Sequence, residues 1–299
     1  MFIPITEKRK KQFCAKLFSG IQSPIGFIDV GSGGALKPPW TLLPTAYLNK
    51  IDFDPEEIRS DKQLPVCISN KRGMGTFFIA HDPRASSLHP PSQSFARRFG
   101  QDGILTKEGI QVELTTLDSL FMSRHQELDL LDINVEGHDY FVLEGAAQLL
   151  KKAFIKCIKI EFELTEVWQG QGWFSEIDKF LRSNGYDLVN IDIEYSRPVN
   201  ARSIYHQGEP LWGKAIYFPS VSNWEQKREN ANIKDDILKA VGLYVILDLP
   251  GRAIDILNIA AQYGCIDARV EREKTSEIVS IFHFAKFDYW INRLLRKIG

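Results

Sequence analysis

The sequence predicts an α/β protein: an open, mostly parallel sheet with helices on both faces, followed by a C-terminal helical appendage. Three observations carry that expectation. Short apolar runs alternate with helix-patterned stretches from residue 25 to about 218. Several of the runs are apolar throughout instead of alternating, as suits strands covered on both faces of a parallel sheet. Beyond Pro219 only helical patterns remain. Strands that alternate with helices imply βαβ units, so the expected division is a basic N-terminal helix over 1–24, an α/β domain over 25–219 and a helical appendage over 220–299.

Each element has its own signal. Strands are expected at 25–30, 50–53, 65–69, 76–80, 110–114, 128–135, 155–162, 187–193 and 214–218. The clearest helices between them are 139–152, with Tyr140, Phe141, Leu143, Ala147, Leu149 and Leu150 on one face, and 174–184, which ends at the C-cap pair Asn184-Gly185. The run 81–101 breaks the rhythm with Pro83, Pro90, Pro91 and three serines, and reads as a loop lying over something. In the appendage, 233–247, 250–263 and 276–298 are helical, with Pro250 opening the second and Gly264 closing it.

Composition narrows the function classes. With 44% hydrophobic and 25% charged residues, the 299-residue chain is neither disordered nor fibrous. A balance of 37 Lys+Arg against 38 Asp+Glu gives no general pull toward nucleic acid. No run of about 18 apolar residues spans a bilayer, and no apolar segment of signal-peptide kind follows the basic start. Both ends are basic: Lys8, Arg9, Lys10, Lys11 and Lys16 stand against Glu7, and Lys286, Arg293, Arg296 and Lys297 against Asp288. The tail could touch a membrane surface peripherally; a final helix packed on the body is the simpler reading. Cys14, Cys67, Cys157 and Cys265 are scattered without a CxxC pair, so a cysteine metal cluster is not expected and a reducing, cytoplasmic setting fits best.

Three stretches carry chemistry. In Gly26–Ala35 an apolar strand runs into a glycine-rich turn, where glycine allows a sharp bend and close approach to a ligand. Leu36 stands where a dinucleotide fingerprint would need its third glycine, and Asp29 disfavours a pyrophosphate, so a nicotinamide oxidoreductase is the weaker reading. Asp52, 21 residues after Gly31 at the end of the next strand, is placed to accept hydrogen bonds from ribose hydroxyls. Asp54 competes for that role, although as a helix N-cap before Pro55 it has a structural one. Acid, glycine turn and second acid describe a nucleoside site without phosphates, which fits S-adenosylmethionine. The third stretch, 129–139, crowds Asp132, Glu136, His138 and Asp139 at a strand end. A histidine beside carboxylates can deprotonate a hydroxyl. The same groups have the chemistry to hold a divalent ion, but no metal is assigned. Trp168, Trp173 and Trp212 flank glycine-rich loops and could face a sugar ring, with core packing the more ordinary role.

Read together, FIDVGSGG (27–34), IDFDPE (51–56), SSLHPP (86–91), TTLDSL (115–120), DINVEGHDYFVLEGA (132–146), IKIEFE (158–163) and WGKAIYF (212–218) resemble the FkbM-type methyltransferases, within the class I enzymes that use S-adenosylmethionine. The resemblance covers about residues 25–218 and implies a Rossmann-like sheet. It also implies that Asp29, Gly31, Ser32 and Gly33 line the methionine end of the cofactor and Asp52 its ribose. Ser69 and Asp118 would lie near the adenine, Ser87 would come from a closing loop, and Asn134 would belong to the cofactor site. Glu136, His138 and Asp139 are then the catalytic candidates. The chain departs from the family at Asn134, where an aspartate is usual, and at Asp132, where lysine is common. The implied activity is O-methylation of a hydroxyl on a sugar, glycan or other small natural-product acceptor. The alternative is a catalytically degenerate module that serves as an assembly partner in polysaccharide biosynthesis.

Overall fold

A computed structural model describes residues 5–31, 33, 35–54, 63–64, 66–123, 128–152, 155–227 and 233–298. In chain order the elements are α1 (Ile5–Phe18), β1 (Ile25–Val30), β2 (Leu48–Phe53), β3 (Gln63–Leu64), β4 (Cys67–Ile68), β5 (Gly73–Ala80), α2 (Gln93–Phe99), β6 (Thr106–Thr115), α3 (Leu117–Phe121) and β7 (Leu130–Ile133). They continue with α4 (Asp139–Glu144), α5 (Ala147–Lys152), β8 (Cys157–Glu163), α6 (Phe174–Ser183), β9 (Tyr186–Ser196), β10 (Glu209–Pro219), α7 (Val221–Lys227), α8 (Ile233–Ile246), α9 (Pro250–Gln262) and α10 (Ala268–Ile298). All nine expected strands form, β1 with the expected ends and the others with shifted ones.

Residues 26–35 and 50–220 make one unit, and 1–25, 36–49 and 221–299 the other. In the first, a seven-stranded sheet runs in the order β3-β2-β1-β7-β8-β10-β9. The neighbours β2/β3, β1/β7 and β7/β8 are parallel, whereas β10 runs antiparallel to both β8 and β9. β1 and β7 are buried along their whole length, as their unbroken apolar sequence requires. Ile28, Leu131, Ile133, Ile158 and Ile160 of these strands join Val142, Leu143, Ile177 and Leu181 of the helices in one core. A second sheet, β4-β6-β5, stands apart.

Two expectations need correction. The run 81–101 is not all loop: α2 forms within it, with Ser92 accepting the Phe95 N–H as N-cap and Gly100 ending the helix at φ 63°. Its anchors Phe95, Ala96 and Phe99 are buried, but two turns among prolines and serines are too short to show a period. The helix expected over 139–152 is broken into α4 and α5 at Gly145, where a Cβ would lie 2.0 Å from the Ser69 carbonyl oxygen. Close packing of that turn under residue 69 overrides the continuous amphipathic pattern.

In the other unit, α1 packs on α8 and α10, and α9 on both of those. Phe18 sits so close to α8 that a Cβ on Gly242 would meet its ring at 2.2 Å. Lys239, fully buried, donates to Ser23 Oγ at 3.1 Å, and Lys10 pairs with Asp248 at 2.6 Å. Among the described residues no helix is long and apolar enough to cross a membrane.

Candidate functional site

The glycine turn is built by three strand ends. Gly31 has φ +84°, and a Cβ there would lie 1.9 Å from the Asn134 carbonyl oxygen. Only glycine combines that backbone with that approach. Its N–H donates to Phe53 O at 2.9 Å, and Asn134 N–H donates to Val30 O at 2.9 Å. Gly33 N–H donates to Asp54 Oδ2 at 3.0 Å. Ends of β2 and β7 thus clasp the turn after β1, where ligands collect in open α/β sheets. Asp54, rather than Asp52, is the acid that touches the turn. The alternation along β2 contains the reason: Lys50 and Asp52 share one face, and Lys50 pairs with Asp52. Ser32 lies outside the described residues.

A row of charges crosses the sheet just beneath this turn. Asp29 is in register with Asp132 of β7, and Asp132 with Lys159 of β8. Lys50 lies 2.9 Å from Asp29, and Lys159 2.8 Å from Asp132. Burial raises the Asp29 carboxyl to about 6; Lys50 opposes the rise and Asp132 adds to it. Burial disfavours the Lys50 ammonium, yet Asp29 and Asp52 together hold it above its ordinary value. Asp29 and Asp52 therefore share Lys50, and Asp132 is paired with Lys159. The acids at this end are neutralised from within the chain.

Beyond Asn134 the backbone is held in an unusual path. Glu136 has φ 54° and Gly137 φ 85°, and Asp139, which is buried, accepts the N–H groups of Val135 (3.2 Å) and Gly137 (3.1 Å) on its two carboxyl oxygens. Left-handed backbone at a non-glycine residue costs about 1–3 kcal/mol and persists where the surroundings fix it. Here the Asp139 carboxyl and Trp168, 2.4 Å from where a Gly137 Cβ would stand, supply that constraint. The loop turns Glu136 into a cavity of about 280 Å³, together with Glu161, Glu163, Trp168 and Trp212. Burial and then the neighbouring Glu161 and Asp139 push the Glu136 carboxyl well up. Glu163 is raised by burial and then by Asp139, and Asp139 to about 8 by burial and then Glu161.

His138 turns the other way. Its Nε2 lies 3.0 Å from Ser69 Oγ and its Nδ1 2.9 Å from His89 Nε2, whose Nδ1 is 3.2 Å from the Gln169 carbonyl oxygen. A carbonyl only accepts, so with neutral rings the chain is polarised one way: His89 donates to Gln169, His138 to His89, and the Ser69 hydroxyl to His138. Burial, with His89 and Lys71 adding to it, lowers His138 to about 3. The ring is a neutral bridge, away from the residues that line the Glu136 cavity. His89 had no signal of its own beyond the SSLHPP segment. Ser87 Oγ donates to the Glu136 carbonyl at 2.6 Å and holds the same loop. Asp118 accepts the Gln148 and Leu149 N–H groups at 3.0 and 2.7 Å, capping the start of α5. Among the predicted residues, the structure therefore brings Asp29, Gly31, Gly33, Asp52 and Asn134 to one place, Glu136 and Asp139 to the next, and Ser69, Ser87 and His138 to the loop's support. Trp168 and Trp212 line the cavity, whereas Trp173 does not. No group of three or more His, Cys, Asp or Glu side chains among the described residues could hold a metal ion.

Fold and site together define an open α/β unit with a glycine turn clasped at the ends of its central strands. Residues 44–188 match the family model described as Methyltransferase FkbM domain. Over that segment, just under half of the chain, it is similar to the FkbM-type methyltransferases. The match starts after the glycine turn, so the resemblance of 25–43 rests on its own residues. No curated protein matches the chain by sequence. Among solved structures, it is similar to the magnesium protoporphyrin IX methyltransferase of Synechocystis PCC 6803 with bound SAM, at 14% identity and a TM-score of 0.32, over 74% of this chain and 86% of that one. It is also similar to a Streptococcus pneumoniae protein described as a tRNA (m1A22) methyltransferase, at 14% identity and a TM-score of 0.31, over 89% and 96% of the two chains.

Proposed function

We propose that the chain is an S-adenosylmethionine-dependent O-methyltransferase whose acceptor is a hydroxyl on a sugar, glycan or other small natural product. The observation that carries this reading is the clasped glycine turn: Gly31 and Gly33 bound to the ends of β2 and β7, with no room for a side chain at 31. Gly31, Ser32, Gly33 and the Asn134 backbone form the wall for the methionine part, Asp29 being held beneath by Lys50. Asp52 and Asp54 are the acids within reach of the ribose, and Asp54 is the better placed. Ser69 faces the adenine side through His138, and Asp118 and Ser87 support the loops around it.

S-adenosylmethionine supplies an electrophilic methyl on a sulfonium. Glu136, once ionised, would take the acceptor's hydroxyl proton, while the Gly31–Gly33 turn and the Asn134 backbone would hold the cofactor that supplies the methyl. A carboxyl raised by burial is a stronger base than an exposed one. His138 and Asp139 position the loop that carries it. Cys14, Cys67, Cys157 and Cys265, none of them in a disulfide, fit work in the cytoplasm, and the expected acceptor is a small molecule or glycan rather than nucleic acid. The basic ends are candidates for peripheral membrane contact. Asn134 favours a second reading, a degenerate module that binds cofactor and serves assembly. Calorimetry with S-adenosylmethionine, followed by a methyl-transfer assay on hydroxylated acceptors, tests the first. Absence of cofactor binding overturns both readings, and binding without transfer leaves the second.

A further inference from the structure

The cavity beside Glu136 is too acidic for the neutral ring that O-methylation alone would require. Three glutamates line it, and among the described residues neither Glu136 nor Glu163 has a lysine or arginine at ion-pair distance. Arg84 also lines the cavity but is bound to Asp82, and Lys214, half exposed, stands 4.0 Å from Glu161. Glu163 is 3% exposed, and its Oε2 has no hydrogen-bond partner. A buried carboxyl oxygen without a partner loses hydration without return, which native structures rarely tolerate unless something else completes the site. Trp168, 1% exposed, leaves its Nε1–H equally unpartnered on the same cavity. Carboxyl oxygens can receive N–H donors, and an indole N–H can reach only an acceptor. The ligand must therefore present a donor-rich group and an oxygen.

We propose that this cavity recognises a primary amine carried on a small hydroxylated ring, of which an amino sugar is the type case. The ammonium stands against Glu161 and Glu163, and a ring or hydroxyl oxygen takes the Trp168 N–H. The indole of Trp212 offers a face to the ring and to the cation. At about 280 Å³ the space lies at the small end of ligand pockets, which run from about 300 Å³ upward, so one ring fits inside and any remainder of a longer acceptor lies outside. Binding of the cation draws the crowded carboxyls into their ionised form and supplies the charge they lack. This inference rests on the methyltransferase reading for the hydroxyl that is methylated, and adds the handle by which the acceptor is held.

The test uses the full chain, titrated by calorimetry with D-glucosamine, D-galactosamine and Tris as amine probes and with D-glucose and D-galactose as neutral counterparts. At least one amine is expected to bind about tenfold or more tighter than its neutral counterpart, a difference worth about 1.4 kcal/mol. Glu163→Gln is expected to erase that preference, with its melting curve confirming a folded chain; Glu161→Gln serves as a second variant should the first not fold. No amine binding, equal binding of the neutral sugars, or a preference that survives both substitutions overturns the inference. A separate titration with S-adenosylhomocysteine reads the methyltransferase assignment. Loss of cofactor binding there sinks that assignment, whereas cofactor binding without amine preference sinks only the present one.

Discussion

Two sets of buried acids lie a few residues apart on the same strand ends, and they are handled in opposite ways. Under the glycine turn, Asp29, Asp52 and Asp132 are matched by Lys50 and Lys159. In the adjoining cavity, Glu163 keeps an unpartnered oxygen and, among the described residues, Glu136 has no ion pair; Arg84 there is taken by Asp82, and Lys214 stands at the edge, 4.0 Å from Glu161. Burying a charge is costly unless it is paired, so the first set is a finished piece of structure. The second is a set whose cost the chain leaves in place. The difference teaches that counting acids in a cleft says little about the ligand until their internal partners are known. The turn's acids are spoken for, and those of the cavity call for a cation.

Substitutions break or sharpen that contrast. The largest effect is expected at the turn that both sets border. Gly31→Val places a Cβ against the Asn134 carbonyl in a left-handed backbone, and should cost about 3 kcal/mol or more and abolish S-adenosylmethionine binding, read by denaturant unfolding and calorimetry. Asp139→Ala comes next. It strands the Val135 and Gly137 N–H groups, each worth about 1–3 kcal/mol when left unsatisfied, and lets the Glu136 loop relax.

The sharpest comparison is between two isosteric changes. Asp132→Asn breaks a partly buried pair and leaves Lys159 without its carboxylate partner there, so stability should fall by about 2 kcal/mol. Glu163→Gln removes a crowded carboxyl from the other set, and should leave stability unchanged or raise it by up to about 1 kcal/mol. Equal losses in both would erase the distinction.

The smallest effect is on pH dependence. Asp139 (about 8) and Asp29 (about 6) lie above the ordinary carboxyl value in the folded chain. The folded state therefore binds the extra protons; that stability is full below the ordinary carboxyl value of about 4 and is lost as pH rises from there, up to about 6 for Asp29 and about 8 for Asp139. His138, at about 3, acts in the opposite sense: the unfolded chain takes up its proton first, so stability falls as pH drops below about 6.5. Melting temperature should thus pass through a maximum in mildly acidic buffer. Asp139→Asn should flatten the alkaline side.

The strands were legible because their apolar runs are long and unbroken, and the glycine turn because Gly31 and Asp29 follow such a run directly. What stayed hidden depended on partners distant in sequence. Asp52 has the better spacing from Gly31, but whether it or Asp54 meets the turn is decided by the pleat of β2. Asp118 carries the composition of a ligand residue and caps α5, a relation across 30 residues that no local pattern contains. Neither the Ser69–His138–His89 chain nor the meeting of Glu136 with Glu163 could be read before β7 and β8 were seen side by side. The grouping of α1 with the helices after residue 220 is of the same kind, since packing between the two ends of a chain leaves no periodic trace in either.

The most direct measurement is a crystal structure of the chain with S-adenosylhomocysteine. The account predicts the methionine part along Gly31–Gly33, the ribose hydroxyls on Asp54 or Asp52, and the sulfur facing the cavity that holds Glu136. A nucleoside bound elsewhere, or a sulfur turned away from that cavity, would contradict it.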